Sequence, residues 1–205
     1  MARMVIAFSV LAVALIGVVA GTVAQEASPA ASPVAGSIEV VLQNVDGQEV
    51  GHATLAATAD GAVAIDVSIE GQDPGEHGIH VHAVGVCDPA GDTPFASAGG
   101  HYNPTGAVHG GPPAMGATGT PDAATGHAGD LGNITVGDDG MGQLQITTDR
   151  FRLADLGDAD GSSLVVHANP DDLQTDPSGN SGGRIACGVI VAAQGGGTPA
   201  ATPAA

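Results

Sequence analysis

Residues 37–70 read SIEVVLQNVDGQEVGHATLAATADGAVAIDVSIE: three runs in which apolar and polar residues alternate, separated by two Asp-Gly pairs. A period of two turns one face of each run toward a core and the other toward solvent. Asp-Gly between such runs supplies the positive φ that a tight hairpin turn needs. This pattern fits antiparallel strands and does not fit amphipathic helices. Five further runs follow at 77–84 (HGIHVHAV), 131–136 (LGNITV), 141–148 (MGQLQITT, again behind an Asp-Gly), 162–169 (SSLVVHAN) and 184–193 (RIACGVIVAA). The expectation is an all-β fold, an eight-stranded antiparallel Greek-key β sandwich or barrel, with two long functional loops over 85–130 and 169–183. The chain has three Phe, one Tyr and no Trp, so that core has to be built from Val, Ile, Leu and Ala.

The ends of the chain read differently. One arginine, Arg3, precedes an uncharged apolar run from Met4 to Ala24, and small residues stand before Gln25. Residues 1–24 therefore read as a secretory signal peptide, or as a membrane anchor if uncleaved. Residues 25–36 form an Ala/Ser/Pro linker and residues 195–205 a flexible low-complexity tail, which leaves 37–194 as the folded domain. The two cysteines, Cys87 and Cys187, suggest one disulfide in an exported chain, with two buried free thiols as the alternative. The expected location is secreted, periplasmic or in the cell envelope, outside the cytoplasmic membrane.

Charge narrows the partners. Against 22 acidic residues stand four basic ones, all arginine, for a formal charge of −18. Binding to nucleic acid through phosphates needs clustered Lys and Arg, and so does electrostatic attachment to an anionic membrane. Neither is expected, and membrane association is left only to an uncleaved N-terminal segment. Arg150 and Arg152 precede a separate loop and are read as lying far from the histidine site described below.

Three of the eight histidines, His77, His80 and His82, fall in six positions of one apolar run. On a strand His80 and His82 project to the same side and can share a metal. His101, His109 and His127 lie in the first long loop with Asp130 three residues beyond, and His167 lies on a later strand. Three nitrogens and one carboxylate suit a closed tetrahedral zinc site. A nitrogen-rich set from strands with an open face suits copper. His52 has no companion and reads as an ordinary strand residue.

The blocks GEHGIHVH, CDP followed by FASAGGHYNPTG, HGGP, HAGDLGNITV, LVVHANPDDL and GNSGGRIACGVI closely resemble the signature blocks of the copper/zinc superoxide dismutases, in family order from about Ser37 to Gln194. The resemblance implies one copper per subunit, held by His80, His82, His101 and His167. It implies one zinc per subunit, held by His101, His109, His127 and Asp130, with His101 bridging the two. It implies dismutation of superoxide to dioxygen and hydrogen peroxide, with His101 carrying a proton and Arg184 guiding the anion to copper. It further implies that Asp171 links His80 to His109, that His77 braces the copper strands without binding metal, and that Cys87 and Cys187 form the family disulfide. It leaves a homodimer open. The acidic, lysine-free stretch 169–183 departs from the many family members that place lysines there. The alternative is a non-catalytic extracellular copper/zinc-binding domain, a store or a carrier. Degenerate relatives of that kind usually lose a ligand or the arginine, and this chain keeps all seven ligand positions and Arg184.

Overall fold

The computed structural model describes residues 36–112 and 126–191. The proposed signal segment, nearly all of the proposed linker and the proposed tail lie outside them, as do residues 113–125 of the first long loop. Eight strands form where the alternation places them: β1 (Ser37–Asn44), β2 (Glu49–Ala57), β3 (Val63–Ile69), β4 (Gly75–His82), β5 (Asp130–Val136), β6 (Gly142–Thr148), β7 (Ser162–His167) and β8 (Arg184–Ile190). All neighbours pair antiparallel, and the sheet closes on itself in the order β1-β2-β3-β6-β5-β4-β7-β8. The Asp-Gly pairs sit in the short β1–β2, β2–β3 and β5–β6 connections, with Gly47, Gly61 and Gly140 all at positive φ.

Inside the barrel lies an aliphatic core. It takes Ile38, Val40 and Leu42 from β1, Val63, Ile65, Val67 and Ile69 from β3, and Ile79, Val81, Leu164 and Val166 from β4 and β7. Burial of such side chains is the main term holding a small domain together, at about 1.5–3 kcal/mol each. A third substantial connection, 149–161, stands beside the two long loops expected from the sequence. It forms a short 3-10 turn, Leu153–Gly157, and sends Phe151 and Leu156 into the same core.

A second, smaller cluster lies on the outer side of β7 and β8, where Phe95 and Ala98 pack on Val165 and Cys187. Cys87 and Cys187 form a disulfide across a sequence separation of 100. In the chain-entropy account a closure of that length restricts the unfolded chain by roughly 4–5 kcal/mol. The bond ties the first long loop to β8, beside the side chains described next.

Candidate metal centre

Alternation decides where the histidines point. Ile79 and Val81 enter the core, so His80 and His82 project from the opposite face of β4; on β7, Leu164 and Val166 enter the core and His167 projects outward. An outward face would ordinarily be wet, yet all three histidines are buried, because the described residues of the two long connections, 83–112 with 126–129 and 168–183, cover them. The first loop returns along β4. Tyr102 N–H donates to Val81 O, Val81 N–H to Gly129 O and Gly129 N–H to Tyr102 O, and His101 forms a β-bridge with His82. A loop histidine thereby gains the rigidity of a strand.

Two groups of potential ligand atoms result, one from His80, His82, His101 and His167 and the other from His101, His109, His127 and Asp130. Within each, the atoms lie within 4.8 Å of one another. In the first group His82 Nδ1–H donates to Gly99 O at 3.0 Å, which leaves Nε2 unprotonated and 3.4 Å from His167 Nε2. Burial holds His80, His82 and His167 neutral. It pushes His80 down to about 4 and His167 down to about 3, and it lowers His82 as well. Neutral imidazoles whose lone pairs converge are what a copper ion requires of histidine ligands.

In the second group Asp130 is the hub. Its Oδ1 lies 2.7 Å from His101 Nδ1 and 3.3 Å from His127 Nδ1, and its Oδ2 lies 3.1 Å from His109 Nδ1. Oδ2 also accepts the backbone N–H groups of Gly110 and His127 at 3.0 and 2.8 Å. Burial alone would raise the Asp130 carboxyl. The His101 contact, the Gly110 N–H and the charges of His101 and His109 outweigh it and bring the group to about 2. Burial lowers His127 as well.

Asp171, on the second loop, joins the groups. Its Oδ2 accepts from His80 Nε2 at 2.8 Å and its Oδ1 from His109 Nε2 at 2.9 Å, which turns the Nδ1 atoms of both rings toward their group. Two glycines make room for it. A Cβ on Gly78 would stand 2.9 Å from Ser181 Cβ and 3.3 Å from Asp171 Cβ, so only glycine lets the loop lie this close to β4. Gly179, at φ +61, passes so near that a Cβ there would fall on Asp171 Oδ1. His77 contributes no ligand atom to either group; its ring spans His167 O at 2.8 Å and Asp73 O at 2.9 Å.

The site opens to solvent through a cavity of about 470 Å³ lined by His82, His101 and His167 and, around them, by Thr93, Asn103, Ser178 and Arg184. Among its lining residues Arg184 supplies the one Lys or Arg. Its guanidinium donates to Phe95 O and, at 2.6 Å, to Gly99 O, the carbonyl that also receives His82 Nδ1–H. One peptide oxygen thus sets the arginine against the first histidine group.

Orphaned atoms test whether this constellation fits metals. His80 Nδ1, His101 Nε2 and His109 Nδ1 are buried with no hydrogen-bond partner, His109 Nδ1 facing Asp130 Oδ2 without bonding to it. An unpaired buried polar atom costs about 1–3 kcal/mol, and three converging on two points are accounted for by two cations. In the second group the 3.3 Å separations of His127 Nδ1 from His101 Nδ1 and from Asp130 Oδ1 also match the edge of a tetrahedron. With zinc–ligand bonds of about 2.0–2.1 Å that edge is about 3.3–3.4 Å.

All the residues singled out in the sequence lie in this region, while His52 stands on the far side of the barrel, exposed and paired with Glu49 at 2.9 Å. Two residues were not singled out for a role at the second group. Asp176 accepts His109 N–H at 2.6 Å and lies 3.8 Å from His127 Nε2; in the sequence it is one more acidic loop residue. Arg150 contacts the turns that carry His109 and His127, whereas Arg152 turns away to Asp60. Neither arginine lines the cavity beside the first group, but Arg150 reaches the turns of the second.

The profile of the copper/zinc superoxide dismutases matches residues 49–190. The chain is 39% identical to a Cu-Zn superoxide dismutase of Deinococcus radiodurans over 163 residues, covering 76% of this chain and 85% of that one. Among solved structures it is similar to the Cu/Zn superoxide dismutase of Brucella abortus, at 31% identity and a TM-score of 0.60, over 75% of this chain and 99% of that one. It is also similar to a SOD-like protein of Bacillus subtilis, at 33% identity and a TM-score of 0.60, over 75% and 97%.

Proposed function

Because the chain belongs to the copper/zinc superoxide dismutase family, we propose that it converts superoxide to dioxygen and hydrogen peroxide, with one copper held by His80, His82, His101 and His167 and one zinc by His101, His109, His127 and Asp130. The observation that carries this reading is His101, the residue shared by both groups: its Nδ1 lies against Asp130 and His127, while its Nε2 is buried with no hydrogen-bond partner. Copper supplies the one-electron exchange with superoxide that no side chain here can supply. The chain supplies position, charge and a proton. Arg184, fixed by Phe95 O and Gly99 O at the rim of the cavity, binds the anion beside His82. His101 Nδ1 is committed to the zinc group, so Nε2 is the ring atom that takes up a proton and hands it to the reduced substrate. Asp171 holds His80 and His109 in register, and the burial of His80 keeps that imidazole from being protonated in place of binding metal.

The store or carrier reading is not favoured: all seven ligand positions are filled, and Arg184 faces an open mouth. Metal content and superoxide consumption measured on one preparation test the choice. Stoichiometric copper and zinc with rapid dismutation is expected; stoichiometric metals with no dismutation would favour the store.

The disulfide fits an oxidising compartment. We further propose that residues 1–24 direct export and are removed before Gln25, and that the 25–36 and 195–205 segments flank a catalytic domain over 37–194. Intact-mass measurement of the exported protein should give a chain starting near Gln25; a retained Met1 would instead indicate an anchor.

A further inference from the structure

The second ligand group depends on two turns, one carrying His109 and one carrying His127, that lie outside the eight strands. His109 leads into Gly110–Gly111, and His127 follows Gly126; between them runs PPAMGATGTPDAAT, in which Met115 is the single large apolar residue. Both turns have to be held against the barrel if His109 and His127 are to converge.

The structure shows both turns gripped from two sides. On one side Asp130 accepts their N–H groups, those of Gly110 and His127. On the other, Arg150, just beyond β6, donates from Nη1 to their carbonyls, to Gly111 O at 3.0 Å and His127 O at 3.3 Å. The residue His127 is therefore fixed at its N–H by a carboxylate and at its C=O by a guanidinium. Arg150 is half-buried, and burial lowers its pKa, an effect opposed by the nearby carboxylates of Asp130 and Asp149. We propose that Arg150 is a positioning residue for zinc: it clasps the Gly111 and His127 carbonyls, and so brings His109 and His127 to bonding distance of the metal. This rests on the assignment of zinc to the His101, His109, His127 and Asp130 group. Arginine suits the task because its planar fork offers several donors in fixed directions, where lysine offers a point charge on a flexible stem.

The test uses the exported protein with its disulfide intact, freed of metals and titrated with Zn(II) against a chromophoric chelator, and in parallel with Co(II), whose visible absorption reports coordination geometry. Arg150→Ala should weaken zinc about 10- to 100-fold, the range for removing a group that orients a ligand. It should also alter the cobalt spectrum and lower the melting temperature of the zinc-loaded protein more than that of the metal-free protein. Arg150→Lys should recover part of the affinity. If Arg150→Ala does not fold, Arg150→Lys decides: weaker zinc with a changed cobalt spectrum supports the clasp, and unchanged values overturn it. Wild-type affinity and spectrum in Arg150→Ala would overturn the role of Arg150 alone. A wild-type chain that takes up no zinc would overturn the site assignment and the clasp together. Equal loss of melting temperature with and without zinc, at unchanged zinc affinity, would make Arg150 a fold residue only and end the proposal.

Discussion

The barrel has two halves that differ in what lies outside them. In β1, β2, β3 and β6 short turns join most neighbours, the inner face is aliphatic, and the outer face meets solvent, as the alternating burial of β1 and β3 records. In β5, β4, β7 and β8 the inner face is just as aliphatic, but the outer face is roofed by two loops, and β7 is buried at every position. The strand chemistry is shared, and the roof is the difference. A roof converts an outward strand position from a wet site into a dry one, and a dry one is where imidazoles stay neutral and a charged ligand set needs a metal to be satisfied. The account assigns stability mainly to the first half and chemistry to the second.

The largest effect should come from the roofed half. His167→Ala removes one of the four nitrogens of the copper group and should drop dismutation to background while leaving zinc bound, as metal analysis of the purified variant will report; full activity in that variant would break the assignment. Next is the open half. Leu55, fully buried on β2, should cost about 2–5 kcal/mol of stability when replaced by Ala, with the copper and zinc content of the folded protein unchanged. Denaturant unfolding of metal-free and loaded protein should show equal losses, and a loss of metal would show that the halves are not separable.

Asp171→Ala should do the reverse. It leaves the Nε2–H groups of His80 and His109 buried without an acceptor, so metal affinity should fall about 10- to 100-fold while the metal-free protein changes less. Chelator competition checks this, and unchanged affinity would contradict it.

The smallest effect expected is on the metal-free protein as pH falls. Buried His80, at about 4, and His167, at about 3, lie below the 6.5 of an unfolded chain. As pH drops below about 6.5 the unfolded chain takes up those protons first, so stability present above that pH is lost progressively toward about pH 3. Asp130, at about 2 against 3.8 unfolded, adds a loss of the same sign only at lower pH. Thermal melts of metal-free protein should fall by several degrees across the upper window, and a level or rising melting temperature would contradict the dry-roof account.

Much of this was legible in the chain. The eight strands follow from alternation and Asp-Gly turns because both are local, and local signals survive folding. The side chains that gather in the two groups are the ones that stood out as His-x-His, as loop histidines and as Asp130, since ligand chemistry permits few residue types. What stayed hidden depends on reach across the fold. Phe151 and Leu156 enter the core from an acidic segment, Asp176 holds His109 from 67 residues away, and Arg150 bridges two loop ends from beyond β6. None of these has a periodicity or a motif, because each acts on a backbone atom or a space that only the folded chain brings near.

The central claim is that the His101 ring stands between two different metals. Anomalous diffraction from crystals of the loaded protein, collected on either side of the copper and zinc absorption edges, tests it directly. The account predicts a copper peak beside His101 Nε2, His80 Nδ1, His82 Nε2 and His167 Nε2, and a separate zinc peak beside Asp130 and the Nδ1 atoms of His101, His109 and His127. A single peak, or two peaks with His101 bound to only one of them, would contradict it.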